Sequence, residues 1–159
     1  MPVGQNEFPI MPPIPGIKLG TTNAGIKQTV RDDLVLIAMA EKATCAAVFT
    51  KNAFCAAPVL VAKEHLKNKP RWLLINSGNA NAGTGLQGYE DAKATCHEVA
   101  VEVDGKANQV LPFSTGVIGQ RLPVDKVKAG VPGAFSQLNE DNWDKAARAI
   151  MTTDTFPKA

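Results

Sequence analysis

Six consecutive apolar residues, Leu34-Val35-Leu36-Ile37-Ala38-Met39, place the tightest constraint on the fold. Read as a strand, such a run has no polar face, so other layers must cover both of its sides. Ala43 to Thr50 follows in similar style. For both runs one short helix is the alternative, because Ala and Met favour helix and periodicity cannot arbitrate over so few residues. Arg71 to Asn76 reads as a core strand that stops at Ser77-Gly78, where a long polar loop begins. Val110 to Phe113 is a further short strand, closed by a Ser114-Thr115-Gly116 turn.

Helical spacing appears between and after these runs. Tyr89, Ala92, Cys96, Val99 and Val103 recur at three- and four-residue steps and mark one face of an amphipathic helix ending near Asp104-Gly105. Leu122 to Gly130 has a helical pattern with Pro123 near its first turn. Trp143, Ala146, Ala147, Ile150 and Met151 form a last stripe, with Asp141 or Asn142 available as a cap, and Val59 to Lys67 is ambiguous. Alternating strands and helices predict a mixed, layered α/β domain over 17–159. The Pro-rich segment 1–16 is expected to be an extended arm, since proline removes a backbone donor and cannot join a sheet interior.

Composition narrows the function. Seventeen Lys and Arg against fifteen Asp and Glu are scattered rather than clustered, which disfavours nucleic acid. No apolar stretch approaches the ~20 residues of a membrane span. The first fifteen residues carry Glu7 and five prolines and do not read as a secretory signal, so the cytoplasm is the expected compartment. Cys45, Cys55 and Cys96 match no metal or disulfide framework and are expected to be small buried residues. His65 and His97 are expected at the surface.

Three constellations could carry chemistry. Asn76, Asn79 and Asn81 alternate with Gly78, Gly83, Gly85 and Gly88, which suits either a polar substrate or a loop whose amides tie up its own turns. That loop lacks the Lys-Ser/Thr ending of a phosphate-binding loop. Thr115 and Gly116 follow a strand, and a hydroxyl beside a glycine N–H can supply two donors to one developing negative charge, the requirement of acyl transfer. Pro112 stands where a serine nucleophile elbow needs glycine. Thr152-Thr153-Asp154 closes the last helical stripe, where hydroxyls could hold a substrate amino acid or satisfy loose helix carbonyls.

Four blocks occur in order: Gly20-Thr21-Thr22-Asn23-Ala24-Gly25-Ile26-Lys27, Ile75 to Gly83, Ser114-Thr115-Gly116-Val117-Ile118-Gly119, and Ala149-Ile150-Met151-Thr152-Thr153-Asp154. Together they resemble the ornithine acetyltransferase family from Gly16 onward. The resemblance implies an α/β sandwich, helices outside and β-sheets inside, in the self-cleaving superfamily shared with β-aminopeptidases. It also implies a precursor that cuts itself before an internal threonine, which becomes the nucleophile at the start of a β chain, within an α₂β₂ heterotetramer. Acetyl would pass from N-acetylornithine to glutamate by ping-pong exchange, with no cofactor, and some members accept acetyl-CoA as donor. By resemblance Thr115 and Gly116 are the oxyanion-hole pair and Thr152 contacts substrate, with Thr153 the neighbouring alternative. The sequence ends at Ala159, before the family's Lys-Gly-Ser-Gly-Met-like segment and nucleophilic threonine, so a separate β chain is expected to complete the site. A hydrolase on the same scaffold, acting on β-amino acids with water as acceptor, and a non-catalytic module are the competing readings.

Overall fold

The computed structural model describes residues 8–158; positions 1–7 of the expected arm and Ala159 lie outside the described residues. Residues 8–14 have no regular secondary structure, and the chain enters a sheet at Ile17. Four strands, β1 (Ile17–Thr22), β2 (Leu34–Met39), β3 (Trp72–Asn79) and β4 (Val110–Val117), lie in the order β1-β2-β3-β4. The first two pairings are antiparallel and β3 with β4 is parallel. Four helices complete the fold: α1 (Ala57–His65), α2 (Gly85–Glu102), α3 (Val124–Ser136) and α4 (Trp143–Ala149). Parallel neighbours need a long crossover, and α2 supplies it.

The apolar run of β2 is covered on both faces, as its composition demands. Leu34 and Leu36 pack with Leu74, Val61 of α1, Cys96 and Val99 of α2, and Val127 and Val131 of α3. Val35 turns the other way, to Leu19, Ala146 and Ala149, with Ile37, Ile75 and Trp143 beside them. Complete burial of each branched side chain stabilises the fold by about 1.5–3 kcal/mol. Helices α1 to α3 therefore line one side of the sheet and α4 the other, and the class is α/β. The crossing from one side to the other is pinned at the outer edge of β1. Leu19 and Asn139 exchange backbone hydrogen bonds of 2.9 and 3.1 Å, and the Asn142 amide donates to the carbonyls of Leu19 and Gln137. Asn142 thus precedes α4 without capping it through its side chain.

Close packing of α3 depends on Gly20, because a β-carbon there would sit 1.9 Å from the Ala134 carbonyl oxygen. The stretch Ala43 to Thr50 forms no strand and is largely exposed, Val48 almost wholly so. Ala47 to Thr50 lie beside Leu111 to Ser114 at the outer edge of β4 without pairing to it. Helix α2 ends with Asp104 in a left-handed conformation (φ 48°) while the Gly105 N–H reaches back to Ala100 O at 2.8 Å.

His65 is buried, contrary to the surface expectation. Its place on the inner side of α1 brings Nδ1 2.7 Å from the Val110 carbonyl, to which the ring N–H donates. Only Cys96 among the cysteines is fully buried; Cys45 and Cys55 are half-buried on the irregular segment before α1. Burial pushes the Cys96 thiol up to about 12, and the thiolate is the reactive form. Iodoacetamide is therefore expected to label Cys45 and Cys55 in the native protein and Cys96 only after unfolding, read by peptide mass spectrometry. Equal labelling of Cys96 in the native state would contradict its packing.

Candidate functional site

Both parallel strands run further than their apolar residues suggest. β3 continues through Ser77-Gly78-Asn79 and β4 through Ser114-Thr115-Gly116-Val117, with Ser77 opposite Thr115 and Gly78 opposite Gly116. Ladder pairing satisfies backbone groups that a turn would leave open, so the polar segment extends as strand. A register shift at Gly78/Asn79 sets Asn79 opposite both Thr115 and Val117, and pairing continues beyond it through the Ala80 N–H to Val117 O at 2.9 Å. Glycine is required here on two counts. Gly116 has φ 133°, and a β-carbon on it would meet the Gly78 carbonyl carbon at 2.3 Å.

The asparagines that follow are engaged in holding the backbone. Asn76 donates to Asn79 O (2.8 Å) and accepts from the Ser114 hydroxyl (2.5 Å). Asn79 donates to Gln120 O and Arg121 O and accepts from the Asn81 N–H. Asn81, left-handed at φ 45°, donates to Gly88 O and accepts from the Thr84 hydroxyl. The amides of this segment tie up its own turns, while Gly78 among them lines the cavity described next. The irregular stretch is short, since α2 already begins at Gly85.

The turn after α4 arrives at the same place. The Ser77 hydroxyl donates to Ala149 O at 2.5 Å, and the Lys27 ammonium donates to Ala149 O at 3.2 Å and to Met151 O. A cavity of about 520 Å³ results, lined by Lys27, Thr29, Arg31, Gly78, Thr115, Gly116, Val117, Thr152 and Thr153. Thr115, Gly116 and both candidate threonines, Thr152 and Thr153, thus share one cavity. Thr115 and Thr152 are half-buried there, while Gly116 and Thr153 are exposed.

Sequence reasoning did not assign roles to Lys27, Thr29 and Arg31. The signal available was that Lys27 ends the first of the four ordered blocks. Two cations and no carboxylate line the cavity among the described residues, which suits a substrate bearing a carboxylate. Burial, and then the neighbouring Arg31, hold the Lys27 ammonium below the usual lysine range, while Asp33 works in the opposite direction. A hydroxyl and a glycine N–H beside bound carboxylate could stabilise an acyl-transfer oxyanion. Among the described residues no group of three His, Cys, Asp or Glu side chains could hold a metal ion, and no helix is long and apolar enough to cross a membrane.

The ArgJ family profile matches residues 18–159. An arginine biosynthesis bifunctional protein ArgJ from Methylococcus capsulatus is 65% identical over 92% of this chain, which spans 36% of that relative's length. A protein of the same name from Pseudomonas fluorescens is 49% identical over 99% of the chain and 39% of its own length. Among solved structures, ornithine acetyltransferase complexed with ornithine from Mycobacterium tuberculosis superposes with a TM-score of 0.84 at 39% identity. That superposition covers 90% of this chain and 78% of the other. The chain therefore spans under two-fifths of the curated relatives it resembles.

Proposed function

This chain belongs to the ArgJ family, and from that membership we propose that it supplies the oxyanion hole and part of the substrate site of an enzyme moving acetyl from N-acetylornithine to glutamate. The observation that carries the proposal is the shared cavity, which holds Thr115, Gly116 and Thr152 together beside two cations. N-Acetylornithine and glutamate both bear an α-carboxylate, which the exposed Arg31 guanidinium can attract while the Lys27 ammonium is engaged with the Ala149 and Met151 carbonyls.

In this reading the nucleophile is a threonine at the start of a β chain. Its α-amine accepts the hydroxyl proton as the oxygen attacks the acetyl carbonyl, so one residue supplies both nucleophile and base. The carbonyl oxygen becomes an oxyanion facing the Thr115 hydroxyl and Gly116 N–H, which stabilise it because they are fixed before charge develops. The C–N bond breaks, the proton passes to the departing amine, and ornithine leaves an acetyl ester on threonine. The glutamate amine attacks that ester through a second oxyanion in the same place, restoring the threonine hydroxyl and releasing N-acetylglutamate. Acetyl-CoA as an alternative donor and an α₂β₂ assembly belong to the same proposal.

Intact-mass spectrometry of the enzyme incubated with acetylornithine is expected to show one added acetyl group on a chain beginning with threonine, removed on adding glutamate. Absence of that adduct, together with absence of acetylglutamate, would defeat the proposal. Peptide hydrolysis without transfer would assign the scaffold to the aminopeptidase reading.

A further inference from the structure

Resting on the acetyl-transfer reading, we propose that Lys27 is a positioning residue, whose ammonium fastens the turn after α4 to the sheet and so keeps Thr152 at the cavity it shares with Thr115 and Gly116. The last carbonyls of a helix lack intrahelical donors, and a cation is well suited to satisfy them. Lys27 reaches one such group, Ala149 O, and beyond the helix it also reaches Met151 O, which belongs to the residue just before Thr152. Its aliphatic stem lies against the other half of the site, since a β-carbon on Gly78 would come 2.9 Å from Lys27 Cγ. Gly78 is the partner of Gly116 in the β3–β4 ladder. One side chain therefore touches both the strand pair that carries the oxyanion donors and the turn that carries Thr152.

The loop delivering Lys27 is itself fixed. The buried Asp33 carboxylate accepts the backbone N–H groups of Ala24 (2.7 Å) and Lys27 (2.8 Å). Asn23 donates to Thr29 O and Arg31 O, and Lys126 donates to Gly25 O at 2.7 Å. A lysine serving only to keep the surface hydrated would need none of these restraints. Here they hold a partly desolvated ammonium against carbonyls, and its burial is compensated by the hydrogen bonds it makes.

The test uses the complete cleaved enzyme, with acetylornithine as varied substrate. Lys27→Met keeps most of the unbranched stem and removes the donors. It is expected to raise KM by ~10- to 100-fold, the scale of losing one hydrogen bond to a charged substrate, with kcat changed little. Lys27→Arg retains a cation and is expected to restore most of the lost affinity. Thr152→Ala is expected to raise KM similarly, and Lys27→Met combined with it should add little more, because the first change acts through the second residue. Hydrogen exchange in peptides spanning 149–155 is expected to quicken in Lys27→Met while peptides spanning 110–117 are unchanged. This readout does not depend on turnover, so an inactive wild-type enzyme would defeat the acetyl-transfer reading alone. Fully additive KM effects, a fall in kcat at constant KM, or unaltered exchange in 149–155 would overturn the role of Lys27. Loss of folded enzyme in Lys27→Arg would do so too, by making the residue a requirement of folding.

Discussion

Thr115→Val is expected to slow acetyl transfer by about 10²- to 10³-fold, the usual consequence of deleting one oxyanion donor, while leaving the fold intact. Valine keeps the β-branched shape that a strand position prefers and removes only the hydroxyl. Thr115 is half-buried at the end of β4 and lines the cavity, so the substitution leaves no deeply buried group unpaired. The proposed mechanism forms an oxyanion twice in one place, once on acylation and once on transfer to glutamate. Both half-reactions should therefore slow together. Single-turnover acetylation and deacetylation, followed by intact mass, check this, and a loss below about fivefold in both would remove Thr115 from the oxyanion hole.

Gly116→Ala is expected to damage chemistry and stability at once. A φ of 133° lies in a region that side chains rarely adopt, which costs roughly 1–3 kcal/mol. The new β-carbon would also press on Gly78 C, Gly78 O and Asn79 N at 2.3 to 2.6 Å, and backbone cannot rotate away as a side-chain tip can. Overpacking of this kind adds roughly 1–3 kcal/mol, and in the proposed mechanism the displaced N–H would lose its place beside the oxyanion. Gly119→Ala is the matched control: Gly119 also has positive φ (79°), but nothing lies within 4 Å of its added β-carbon. Urea midpoints and transfer rates of the two variants should differ sharply. Similar values would mean that the contact between the glycine strands is not what fixes Gly116.

The strands and helices that surround the core are legible from sequence where burial leaves a local pattern. The six apolar residues of β2 and the three- and four-residue steps along α2 both appear where expected, because each records covering layers in neighbouring positions. Polar strand is not legible in this way. Residues 77–79 and 114–117 are held by ladder partners across the sheet, and their glycines and hydroxyls resemble turns. His65 misleads because its burial is set by the packing of α1 on β4, a tertiary contact with no local pattern, and 43–50 because an apolar run forms a strand only when it pairs with another. The grouping of Thr115, Gly116 and Thr152 was anticipated through the order of four blocks, whereas Lys27 gives no periodic signal for a contact across 122 residues.

That last separation has a consequence for how the protein is made. The β3–α2–β4 unit closes over modest lengths of chain, so it can assemble early, but the cavity wall formed by the turn after α4 depends on contacts of very high sequence separation. During synthesis the Lys27 side chain leaves the ribosome long before the carbonyls it binds exist. Until α4 has crossed the rim of β1 at Leu19 and Asn139, the ammonium stays in water and the cavity is open on one side. Within residues 8–158 the cavity is thus among the last features to form, because it waits for the turn after α4.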